Sequence, residues 1–259
     1  MNFFSQYPVI SVALLAAIIG SALVAVIRNW VALHFLTSHH EVAFPIFLQI
    51  GVIYAVVLAF TFSMVLNEVG ESYREAKIET TDLLTLAQLA PGFSPEVRNS
   101  IQQTLIEYTD AIITKEWPKM IRHQEEPQVA EILEKLQRIY LNMDVQSPKE
   151  QVIYSNSLEH LAKLRENRRL RIFIATQPKL ENPLMLLVML GFVVVGISYF
   201  FGMDRLWAQM VLTGALIYTI TSLLMIIFIL SNPFASKFGI STRIYKDTLG
   251  RLEQMAKES

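Results

Sequence analysis

Residues 42–89 read VAFPIFLQIGVIYAVVLAFTFSMVLNEVGESYREAKIETTDLLTLAQL. From Val42 to Leu66 there is no Asp, Glu, Lys or Arg. That is 25 residues, enough for a helix to cross a bilayer with some tilt. No proline or turn cluster follows Leu66. The charged half keeps apolar or small residues at helical spacing: Val69, Tyr73, Ala76, Thr80, Leu83, Leu84 and Ala87. Gly70 is the sole interruption, tolerated in a helix at a cost of about 1 kcal/mol. Pro91-Gly92 ends the run. The stretch predicts one long helix, half in lipid and half in water.

The rest of the chain fits that reading. Apolar residues make up 53% and charged residues 17%, against about 25% charged in soluble domains. The net charge of −1 gives no bulk attraction to nucleic acid, so none is expected as a partner. The absence of cysteine removes disulfides, thiolate nucleophiles, iron–sulfur ligation and cysteine zinc sites.

Working outward, Val9–Ile27 is a second uncharged span. A signal peptide is the alternative, but no basic residue precedes it and its apolar run is too long. Ala13, Ala17, Ser21 and Ala25 form a small-residue stripe for close helix packing. Arg28–Glu41 is a connection carrying His34, His39, His40 and Glu41. Their spacing fits no established metal pattern, and they are read as headgroup-boundary residues. Downstream, residues 183–202 and 206–230 are a third and a fourth span. Between the second and third spans lies a helical region, with starts at Ser94-Pro95-Glu96 and at the capping box Ser147-Pro148-Lys149-Glu150. Pro118 is expected to end or kink a helix near Trp117. The tail from Ser241 is amphipathic, with Ile244, Tyr245, Leu249, Leu252 and Met255.

The fold expected is an all-α membrane protein: four transmembrane helices plus a helical cytosolic domain. Residues 1–66 hold helices 1 and 2, and 67–182 the cytosolic domain with the extension of helix 2. Residues 183–234 hold helices 3 and 4, and 235–259 the tail. Basic residues set the orientation. Of 22 Lys and Arg, 15 lie between Arg74 and Lys179 and five from Lys237 onward, while Arg28 and Arg205 stand alone in the other two loops. The chain is expected to be multi-pass, with both termini cytoplasmic.

The chemistry is sparse. There is no phosphate-binding loop, nucleophile elbow or metalloprotease motif. His123 and His160 have no Ser or Cys partner at a recognisable spacing and are read as surface histidines. No catalytic residue, cofactor or metal is assigned, and an enzyme is not expected. The spans carry no Asp, Glu, Lys or Arg, which disfavours a proton pump. A channel with a hydrophobic constriction needs no such group. At 100° per residue, Gln49, Val52, Val56, Phe60, Ser63, Asn67, Glu71 and Arg74 share one helix face. Copies of this helix around an axis would make Val52, Val56 and Phe60 an apolar neck. Gln49, Ser63, Asn67, Glu71 and Arg74 would line the pore or its vestibule. The alternative is that this face packs inside the monomer. A basic cluster, Lys163, Arg165, Arg168, Arg169 and Arg171, precedes the third span. It suits anionic headgroups, anion attraction at a pore mouth, or a solvated face paired with nearby acids.

Four stretches carry a resemblance: NEVGESYREAKIETTDLL at 67–84, IEYTDAIITKEWPKM at 106–120, RENRRLR at 165–171 and SNPFASKFGIS at 231–241. In order and spacing the chain resembles the bacterial bestrophin-like family, distant kin of bestrophin ion channels. The resemblance implies a homo-oligomer, expected to be a pentamer, in a bacterial inner membrane, touching membrane lipids and passing small inorganic ions. It implies four membrane helices, with the long second one lining the pore. Laid on this chain through Tyr73, the family's three-residue neck falls on Val52, Val56 and Phe60. One departure stands out: animal bestrophins follow N-P-F with calcium-binding acids, whereas here Ala235-Ser236-Lys237-Phe238 follows, without hard carboxylate ligands. A membrane-anchored docking or sensor protein that conducts nothing is the second reading, and a membrane enzyme the third.

Overall fold

The computed structural model describes residues 8–30, 40–176, 181–235 and 239–258. Its elements are helical throughout the described residues, with no strand. They are α1 (Pro8–Trp30), α2 (His40–Leu89), α3 (Pro95–Ala111), α4 (Trp117–Met120), α5 (Pro127–Leu141), α6 (Pro148–Thr176), α7 (Glu181–Ser198), α8 (Leu206–Leu230) and α9 (Arg243–Glu258). The deciding stretch is a single 50-residue helix, α2, closed by a 3₁₀ turn at Ala90–Gly92. Among the calls that fall elsewhere, His34, His39, Lys179, Ser236, Lys237 and Phe238 lie outside the described residues, as do the side chains of His40 and Glu41.

The chain forms two compact units, residues 1–66 with 179–231 and residues 67–178 with 232–259. In the first, α8 packs along α1 and against α7. The small-residue stripe makes that approach possible. Ala13 and Gly20 are buried, and a Cβ on Gly214 of α8 would stand 2.4 Å from the Ser21 hydroxyl. Ser21 Oγ in turn donates to the Met210 carbonyl at 3.0 Å, and the Tyr199 hydroxyl to the Gly20 carbonyl at 3.1 Å. Polar side chains thus join the helices where they approach closely. Among the described residues three helices, Val9–Trp30, Phe44–Gly92 and Leu206–Leu230, contain a stretch long and apolar enough to cross a membrane, while Pro183–Ser198 is apolar but shorter. The helix expected as a third span, α7, stops at Ser198, short of the expected residue 202. Its end tightens into three-residue hydrogen bonds, Tyr199 N–H to Gly196 O and Phe200 N–H to Ile197 O.

The second unit builds its own core from Leu83, Leu86, Ile101, Leu105, Tyr108, Ile112, Met120, Leu136 and Leu164, all fully buried. The capping box forms as expected: Glu150 N–H donates to Ser147 Oγ at 3.1 Å and Ser147 N–H to Glu150 Oε2 at 3.2 Å. Ser94 opens α3, but its hydroxyl makes no capping bond. Pro118 does not end its helix near Trp117. Residues 112–116 widen into a π turn, with the Trp117 N–H reaching back to Ile112 O, and α4 carries on through the proline to Met120. The extra residue in the turn absorbs the missing proline donor and redirects the side chains beyond it.

Candidate functional site

Helix α2 sorts its side chains cleanly. Tyr54, Leu58, Thr61, Val65, Ser72, Ala76, Glu79 and Leu83 are buried, a stripe that recurs at three- and four-residue steps. On the opposite side Gln49, Val52, Val56, Phe60, Ser63, Asn67, Glu71 and Arg74 are all exposed. Val52, Val56 and Phe60 are 55%, 48% and 72% exposed. The described residues of its own chain leave this face largely bare. An apolar strip left bare in one chain must meet lipid, another copy or a lumen.

The buried stripe ends in chemistry that sequence reading missed. Glu79, on the charged half of α2, is wholly buried and accepts four hydrogen bonds. Arg171 Nε donates to Oε2 at 2.7 Å and Arg171 Nη2 to Oε1 at 3.1 Å. The Tyr108 hydroxyl donates to Oε1 and the Tyr245 hydroxyl to Oε2, each at 2.6 Å. Glu116, turned inward at the end of the π turn, accepts from Arg171 Nη2 at 2.7 Å and from Arg168 Nε at 3.0 Å. Arg171 also contacts the Met120 sulfur and lies 5.5 Å over the Tyr245 ring. Two guanidinium and two carboxylate groups cancel in formal charge, and the Glu79 oxygens are saturated. Such a cluster has no free group for catalysis. It fastens α2 to α3, α6 and α9 inside the second unit.

These positions correct the basic cluster. Arg168 and Arg171 are buried ion-pair partners, unavailable to headgroups or to a pore mouth. Lys163, Arg165 and Arg169 stay exposed. Lys163 pairs with Glu159 at 2.6 Å, and Arg165 donates to the neutral Gln137. The clue was present: Leu161, Leu164, Arg168, Arg171 and Ala175 form one helical stripe, so two arginines replace core residues. His160 is likewise no free surface residue. Its Nδ1 lies 2.8 Å from the buried Asp82, which also accepts from Asn167 Nδ2 at 3.1 Å. His123 is exposed at φ 59° and donates from Nδ1 to the Ala175 carbonyl at 2.8 Å. The N-P-F turn is anchored beside it, Asn232 Nδ2 donating to the Ile121 carbonyl at 3.0 Å and Phe234 packing edge-on to Trp117.

Electrostatics keep Glu79 charged. Burial alone would raise the Glu79 carboxyl, but the Arg171 charge and the bonds from Arg171, Tyr108 and Tyr245 outweigh it and hold the group below the usual carboxylate range. Burial, reinforced by the Glu79 charge, pushes both tyrosine hydroxyls well above theirs, so they remain donors. A group with a depressed folded pKa contributes stability that is complete above its unfolded value, about 4.3 for Glu. That stability is lost as pH falls through the folded value. The thermal midpoint of the second unit, followed by Trp117 fluorescence, is expected to stay flat from about pH 8 to 5 and to fall below about pH 4. A midpoint unchanged on acidification to about pH 3 would contradict this.

A model of the Bestrophin-like domain matches residues 14–245. The chain is also similar in fold to a crystal structure of a bacterial bestrophin homolog from Klebsiella pneumoniae that carries a point mutation. The TM-score is 0.70 at 15% sequence identity, with 96% of this chain and 99% of that chain covered. No curated protein matches in sequence.

Proposed function

This chain belongs to the bestrophin-like family, and on that premise we propose that it is the subunit of an oligomeric ion channel in the bacterial inner membrane. The family and the bestrophin fold support a channel-like role in general. One observation carries the rest: an eight-residue face of α2, exposed along its whole length and opposite the buried stripe. In this reading α2 stands beside its own copies, as a pentamer, with that face toward a shared axis. Val52, Val56 and Phe60 form an apolar neck that gates by excluding water. Asn67, Glu71 and Arg74 line the vestibule on the cytoplasmic side. The subunit crosses the membrane four times, with Pro183–Ser198 the shortest crossing, and both termini lie in the cytoplasm. The protein is a conduit for small inorganic ions and not an enzyme.

The test is ion flux through purified protein in liposomes, together with particle symmetry in detergent. Flux above that of empty liposomes, from a ring with α2 innermost, is the expected result. A monomer, a ring with another helix at its axis, or flux no greater than in empty liposomes overturns the channel. The last outcome would leave a membrane-anchored docking or sensor protein.

A further inference from the structure

The outward part of the basic cluster faces a cleft in the second unit, between α5 and α6, of about 300 Å³. One wall is cationic. Arg165 and Arg169 lie one helical turn apart on α6, with Arg168 at the floor. Two acids line the same cleft: Glu134 lies 3.8 Å from Arg138, and Glu125 lies 3.6 Å from Arg168. Arg168 is further neutralised by the buried Glu116. That leaves Arg165, whose partner Gln137 is neutral, and Arg169, which has no ion pair or side-chain hydrogen bond among the described residues. The other wall is apolar, made by Leu133, Ile172 and Phe173, the last 53% exposed. Arg165 and Arg169, without ion pairs, outweigh the one carboxylate left over, Glu125, whose arginine Glu116 already balances, and beside a half-exposed aromatic ring they match a phosphate joined to a hydrocarbon body.

We propose that this cleft binds the headgroup of an anionic phospholipid. The phosphate sits on Arg165 and Arg169, and the start of the acyl region on Phe173 and Ile172. A free phosphate would meet the charge but make no use of the exposed side of Phe173. The Phe173–Thr176 end of α6 is also the end whose chain leads on to the apolar helix α7, starting five residues later in sequence at Glu181. The proposal rests on the membrane placement above but not on conduction, so its failure would leave the channel reading intact.

Native mass spectrometry of the intact protein in detergent tests it, with short-chain phosphatidylglycerol, short-chain phosphatidylcholine and inorganic phosphate as probes. Retained phosphatidylglycerol at one per subunit is expected, weakened roughly thirtyfold in Arg165→Ala/Arg169→Ala, at about fivefold per arginine. Phe173→Ala is expected to weaken lipid binding as well. All three side chains are exposed, so these variants keep the fold. Equal retention of phosphatidylcholine overturns the proposal, as does unchanged binding by the double variant. Displacement of the lipid by millimolar phosphate would assign the arginines to a soluble anion. Loss of oligomeric order in the double variant, with lipid binding kept, would assign the cleft to a neighbouring copy. Either of these last outcomes overturns the lipid site.

Discussion

Replacing Arg171 by methionine is expected to unfold the second unit well below the wild-type midpoint. Arg171 is fully buried between Glu79 and Glu116. The substitution fills its volume but leaves Glu79 with only two tyrosine donors and no counter-charge. Breaking a buried pair from one side costs about 3–5 kcal/mol, a large share of the roughly 5–15 kcal/mol that stabilises a domain. For a unit of this size the midpoint drops by about 10 °C or more, read through Trp117, which is buried between Phe234 and Tyr245. The double variant Glu79→Gln/Arg171→Met removes both charges and keeps the Arg168–Glu116 pair. It is expected to recover part of the loss, giving a favourable coupling between the two sites. A double variant as unstable as the sum of the single ones would mean that the cluster acts through packing alone.

That cluster also shows where sequence reading reached and where it stopped. The long helix, the two units' helical make-up and the capping box at Ser147 follow from local rules: charge-free length, apolar spacing and cap chemistry act within a few residues. The exposed face of α2 was legible for the same reason, since Gln49 to Arg74 obey one helical period. Whether that face stays bare depends on which other helices pack on the opposite side, and Tyr54, Leu58 and Val65 settle that only in three dimensions. Glu79, Glu116, Arg171 and Tyr245 come from four separate stretches, up to 166 residues apart. No local rule pairs them. The π turn adds a second obstacle. A regular helix through 112–118 would turn Glu116 to a different face, so a wheel drawn at a constant 100° misplaces the acid that binds both arginines. The basic cluster misled for a related reason: a run of arginines resembles a charged surface until its acidic partners are seen.

The second large effect belongs to the proposed neck. Phe60→Ala is expected to raise ion flux about tenfold, because lowering a dewetting barrier by about 1.4 kcal/mol is enough for that change. Phe60 is the bulkiest of the three residues proposed for the neck and, at 72% exposure, the least supported by its own chain. Its truncation should therefore leave folding and oligomer size unchanged, unlike truncation of the buried Tyr54 on the other side of the same helix. Val26→Ala on α1, exposed to a similar degree as Val52 but on a different helix, is the control. It removes apolar surface without touching the proposed axis, so its flux should match wild type. Truncating Val52 or Val56 should raise flux less than truncating Phe60, since each removes fewer atoms from the ring. Equal flux in Phe60→Ala and wild type, or an equal rise in Val26→Ala, would move the α2 face from the axis to lipid. The polar residues about two to four turns further along the helix, Asn67, Glu71 and Arg74, would then lose their proposed place as a vestibule, because they share that face.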